Sequence, residues 1–168
     1  MQFEELRFVC QEAAVDIVDR ETSARPTVVL PGKERTRLLA LPSFPDEDEA
    51  RHELLANLAA DEIVDGQVPC WGFIAEAQLE AGGDVVVVVY GARKHAPHLT
   101  AAVKLDDGTL DEFLPAEELD PTAMPYLHPL QHAVDALPAV ETPTDGLSGV
   151  RGTDRDPLAG GLPMFGQD

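Results

Sequence analysis

Val85-Val86-Val87-Val88-Val89-Tyr90 is the longest apolar run in the chain. Five successive β-branched residues favour an extended backbone. Alternate side chains of a strand point to opposite faces, so a run apolar at every position is apolar on both. Such a strand belongs in the middle of a sheet covered on both sides, by helices or by a second subunit. The run is far short of the ~20 residues that cross a bilayer as a helix, so no membrane association is expected.

On the N-terminal side of this run, Trp71 to Glu80 alternates. Phe73, Ala75, Ala77 and Leu79 face one way, and Glu76, Gln78 and Glu80 the other. This predicts a strand with one buried and one wet face. On the C-terminal side, Leu99, Ala101, Val103 and Leu105 alternate with Thr100, Ala102 and Lys104. Asp107-Gly108 is a hairpin signal, and Thr109–Leu114 is the candidate for a short returning edge strand. Pro115–Asp120 is polar and is expected to hold one helical turn. Upstream, Thr27–Leu30 and Arg35–Leu41 flank Pro31-Gly32, a pair suited to the centre of a type II turn. Together they predict a hairpin.

Three segments carry helical spacing. Phe3, Leu6, Cys10, Ala13, Ala14, Ile17 and Val18 define one face over about residues 2–20. Glu4 and Glu5 stand in its first turn, where the helix dipole favours negative charge. Asp46 is a candidate N-cap for a helix over about 46–64, with Leu54, Leu55, Leu58 and Ile63 as its apolar face. Glu47 and Arg51 are spaced for an i, i+4 pair. Pro129 suits the first position of a last helix, with Leu130, Ala133, Val134 and Leu137 inward. Residues 138–168 hold four Pro and six Gly without sustained periodicity. They are expected to form a disordered tail after a single domain of residues 1–137.

The resulting fold class is α+β: an antiparallel sheet of about five strands with helices on its faces, in the order α-β-β-α-β-β-β-α. That order resembles profilin-like and roadblock-type domains. The resemblance rests on element order alone. It implies an antiparallel five-stranded sheet carrying helices and no particular function.

The chain has 31 acidic and 12 basic residues, a formal net charge of −19. A field of that sign repels phosphate backbones and anionic lipids, so nucleic-acid partners are not expected. Lysine is scarce, with only Lys33, Lys94 and Lys104. Acid excess with little lysine matches adaptation to salt, which at 1 M cuts the screening length to about 3 Å. Codon bias toward Ala, Arg, Asp and Gly is the competing explanation. The N-terminus has neither the basic nor the apolar region of a secretory signal, so a cytoplasmic location is expected.

Cys10 and Cys70 lack metal-site or redox spacing and read as buried free thiols. No P-loop, GxGxxG, GxSxG or HExxH occurs, and neither cofactor nor metal is expected. His128 and His132 are four apart, but His128 precedes Pro129 and reads as a loop or cap residue. Ser23 and Ser43 fall in connections with no telling neighbour. The local anomaly is the loop Arg93-Lys94-His95-Ala96-Pro97-His98, which follows the central strand and concentrates cations in an acidic chain. Arg93, Lys94, His95 and His98 are therefore the candidate contacts for an anion or a partner. Leu162, Met164 and Phe165 form a second candidate, an apolar motif on a tether. The sequence as a whole reads as a non-enzymatic interaction or accessory protein with a protein partner, and a homodimer as an option. The alternative is a small hydrolase using His95, His98 or His128 with a carboxylate.

Overall fold

The computed structural model describes residues 2–32 and 34–138. Helix α1 spans Phe3–Glu21, followed by strands β1 (Thr27–Pro31) and β2 (Thr36–Ala40). Helix α2 (Asp48–Leu58) continues as a π-helical segment, Ala59–Val64. Strands β3 (Cys70–Gln78), β4 (Asp84–Ala92), β5 (His95–Val103) and β6 (Glu117–Glu118) come next. A 3₁₀ turn, Pro125–Leu127, leads into α3 (His128–Ala136). The strands form one antiparallel sheet in the order β2-β1-β3-β4-β5-β6. The sixth strand is the addition to the expected five. It lies where a helical turn was expected, and Thr109–Leu114 forms no strand but runs along β5 through a Leu110–Lys104 bridge and the Asp111 N–H and Leu114 N–H bonds to Val103 O and Ala101 O, both 2.8 Å.

Helix α1 covers one face. Leu6, Cys10, Ala14, Ile17 and Val18 pack on Val29, Cys70, Ile74, Val86, Val88 and Tyr90. Glu5 Oε1 accepts the Gln2 N–H at 2.7 Å, satisfying a free donor at the helix start. Gly72 is what lets α1 approach β3, because a Cβ there would overlap Cys10 Sγ and crowd Val29. At the other end of α1, Lys104 Nζ donates to Thr22 O and to Glu76 Oε2, the latter at 3.0 Å. Glu76 Oε1 also accepts the Ala24 N–H at 2.8 Å. Partial burial alone would raise the Glu76 pKa, but these hydrogen bonds outweigh it and hold the carboxyl below its ordinary value.

The opposite face is covered by α2, its π segment and α3. Val28, Leu30, Trp71, Phe73 and Val89 meet Leu55, Ala59, Ile63, Leu130 and Val134 there. The inward residues of the second helix are Leu55, Ala59 and Ile63, a strict i+4 series. An α-helix of 3.6 residues per turn lets such a series drift, and the wider π turn keeps it aligned. Leu54 is consequently 36% exposed, although its spacing suggested burial. The helix starts two residues later than expected, with Glu47 as N-cap. Arg51 lies over the Phe44 and Tyr126 rings, 4.7 and 5.1 Å from their centroids, and donates to Pro45 O. The expected Glu47–Arg51 ion pair is not among those of the described residues.

Two further local expectations change. Pro31 remains in β1 opposite Thr36, and Gly32 has no positive φ, so no type II turn forms there. Strand β3 is buried on both faces from Cys70 to Ile74, because it sits between β1 and β4 with helices above and below. Beyond that point both faces open together, Ala75 and Glu76 half-buried and Ala77 and Gln78 exposed, so the expected one-face alternation does not appear in the burial.

Candidate functional site

The β4–β5 hairpin turns on two residues, Arg93 and Lys94, with Ala92 opposite His95. Lys94 takes the left-handed conformation, φ 67°. The turn is clamped to the end of α3 and to the chain entering β3. Arg93 N–H donates to Pro69 O at 2.9 Å, and Arg93 Nε to Leu137 O at 2.9 Å. Lys94 N–H donates to Asp135 Oδ1 at 2.7 Å. Gln131 Nε2 bridges Ala92 O (2.9 Å) and Asp135 Oδ2 (3.1 Å), while its Oε1 accepts from Trp71 Nε1 at 2.9 Å. The Arg93 guanidinium thus serves a carbonyl at a helix C-terminus, where a cation is favoured. Lys94 is exposed and makes no ion pair among the described residues.

His95 and His98 gather elsewhere, at the start of α1. The His95 ring stacks on Phe3, with centroids 4.7 Å apart and planes at 13°. His98 meets the same ring edge-on at 5.3 Å and lies 6.0 Å from Tyr90. His98 Nδ1–H donates to Ala96 O at 3.0 Å, which fixes its ring. Burial raises the Tyr90 pKa, and the nearby Glu4 carboxylate adds to this. The four loop residues therefore split into a structural clamp, Arg93, one free cation, Lys94, and an aromatic–imidazole patch.

The other three histidines share a groove of about 510 Å³ between α2, its π segment and α3. His52, His128 and His132 line it together with small alanines from both helices. His128 is the first residue of α3, not a loop residue, and its Nε2–H donates to Pro121 O at 3.1 Å. His128 lies on the opposite side of the sheet from His98. Among the described residues no three His, Cys, Asp or Glu side chains converge as metal ligands. No serine there hydrogen-bonds an imidazole. Both cysteines are free and buried. Burial, then the neighbouring Cys70, raises the Cys10 thiol, and burial pushes Cys70 up to about 11. Leu162, Met164 and Phe165 lie outside the described residues. No described helix is long and apolar enough to cross a membrane.

Two features of the sheet were missed by reading the sequence. On β5, Thr100 and Ala102 are buried on the α1 side of the sheet, at 1% and 0% exposure, while the apolar Val103 and Leu105 are 39% and 42% exposed. The register explains the inversion. Thr100 and Ala102 pair with Val88 and Val86, on the α1 face, and Thr100 Oγ1 is satisfied by Leu114 O at 2.6 Å. The rows Ala75–Val87–Ala101 and Ala77–Val85–Val103 share the opposite face, where Ala75 and Val87 still pack on the core beneath α2 and α3 and Val85 is buried, while Ala77 and Val103 are exposed. Leu79, 44% exposed, and Leu105 follow just past them. The result is a set of exposed apolar side chains, Leu79, Val103 and Leu105, at one end of β3 and β5, bordered by Glu80, Asp84, Asp106 and Asp107.

The second feature is β2, an edge strand with no neighbour on its outer side. Arg35 stands just before it and Arg37 within it, two arginines at one edge of the sheet. No known protein family, curated protein or solved structure matches the chain.

Proposed function

We propose that this chain is a non-enzymatic interaction module that binds a protein partner through the uncovered end of its sheet. One observation carries the reading: Leu79, Val103 and Leu105 are 44%, 39% and 42% exposed at one end of the sheet, on the side of the partly buried Val87. Contiguous apolar surface of this kind marks docking sites more often than single exposed side chains do. The acidic border favours a partner whose apolar anchors are flanked by Lys or Arg. A second copy would bring −19 against −19, so a homodimer at this face requires salt.

The test is the double variant Val103→Asp with Leu105→Asp, used as bait in extract of the native host beside the wild type. The expected result is an unchanged circular-dichroism spectrum and loss of the partner that the wild type retains. A partner kept at full yield by the folded variant overturns this surface as the site. Hydrolysis of simple esters, abolished by His98→Ala, would establish the enzymatic alternative instead.

A further inference from the structure

We propose that the free edge of β2 is a strand-addition site for an extended segment that alternates acidic and apolar residues. The site is separate from the uncovered sheet end and does not depend on it.

The argument starts from hydrogen-bond parity. In an antiparallel ladder, paired residues alternate between exchanging hydrogen bonds and directing their backbone groups outward. Leu41 N–H donates to Pro26 O at 2.8 Å, and Gly32 N–H to Arg35 O at 2.9 Å. With the β1–β2 register, these bonds place Arg35, Arg37 and Leu39 on the inner phase. Thr36, Leu38 and Ala40 then point their N–H and C=O groups away from the sheet. Among the described residues none of these outward groups has a partner. An added strand can use all of them.

Side-chain parity supplies the specificity. Arg35 and Arg37 are two apart and share a face. Arg37 Nη1 marks which face, lying 2.8 Å from Glu62 on the π segment. Arg35 is exposed and makes no ion pair among the described residues. Thr36, Leu38 and Ala40 occupy the other face, where Leu38 pairs with Val29 of the α1-side core and is 38% exposed. A strand laid on this edge, in either direction, meets Arg35 and Arg37, then the half-buried Leu39, on one face and Thr36, Leu38 and Ala40 on the other. Only an alternating sequence puts every carboxylate beside arginine and every apolar side chain beside leucine. The same arginines discourage pairing with cationic strands. The acidic remainder of the surface repels such a ligand at long range, but at 0.15 M salt the screening length is about 8 Å and contact pairs survive.

The experiment uses the full chain at about 0.15 M salt and a short end-blocked peptide alternating Glu and Val. A block peptide of the same composition and an alternating Lys/Val peptide serve as comparisons. Titration calorimetry reads binding, and amide hydrogen exchange locates it. Expected are binding of the Glu/Val peptide alone and new protection at Thr36, Leu38 and Ala40. Arg35→Glu should weaken binding by about fivefold or more. Leu38→Pro should abolish it, since proline on the outward side of an edge strand removes one donor without touching the inner ladder. Should Leu38→Pro fail to fold, Arg35→Glu decides alone. Equal binding of the block or Lys/Val peptide, protection elsewhere, or an unaffected Arg35→Glu protein overturns the proposal.

Discussion

Arg93 and Lys94 share one turn and carry different loads. Arg93 Nε holds the last carbonyl of the α3 end, whereas the Lys94 ammonium has no ionic partner among the described residues. Hydrogen bonds involving a charged group contribute about 1.5–3 kcal/mol. Partial exposure reduces that, so Arg93→Ala is expected to cost about 1–2 kcal/mol in chemical denaturation. Lys94→Ala should leave the midpoint unchanged. Equal effects from the two substitutions would mean that the clamp on Leu137 contributes nothing. The loop was legible as an anomaly because two adjacent cations stand out in an acidic chain. Their division of labour was not, since it depends on a helix some forty positions later folding back onto the turn. Gln131 was invisible for the same reason: alone on a helix it is an ordinary polar residue, and only the fold places it against Trp71 and Ala92.

At the level of elements, β4 is buried on both faces, with Val87 the least covered of its valines. Val86 and Val88 are fully buried beneath α1, while Val87 on the other face is only partly covered. Val88→Ala is expected to cost about 2 kcal/mol, from lost burial plus a cavity that α1 cannot close. Val103→Ala, on the open end next to the same strand, should cost under about 0.5 kcal/mol. Comparable losses, measured by thermal or urea unfolding, would show that the open end is covered after all. The β4 run announced a central strand because both of its faces are apolar whatever their neighbours are. Helix α1 was equally legible, since Leu6, Cys10, Ala14, Ile17 and Val18 repeat with helical spacing. Strand β5 misled because alternation names two faces without saying which one a helix will cover. Thr100 goes inward because it stands beside Val88, and that register is a tertiary fact. The cations of β2 become a pattern only once the strand is known to be an edge.

At the scale of the whole molecule the dominant quantity is the net charge of −19. Self-repulsion among surface carboxylates opposes the compact state and fades as salt screens it. If the acidity is an adaptation to salt, the thermal midpoint should climb steeply from dilute buffer to molar KCl. A midpoint indifferent to KCl would leave codon bias as the explanation. The close seating of α1 over Gly72 has another outcome. Cys10 is sealed beneath that helix, and both thiols are held in their protonated, unreactive form. Alkylating reagents need the thiolate, so neither sulfur can be modified while the helix stays seated. The pair is a built-in clock: with label concentrated enough to outpace reclosing, the rate at which it enters at neutral pH is the rate at which α1 lifts.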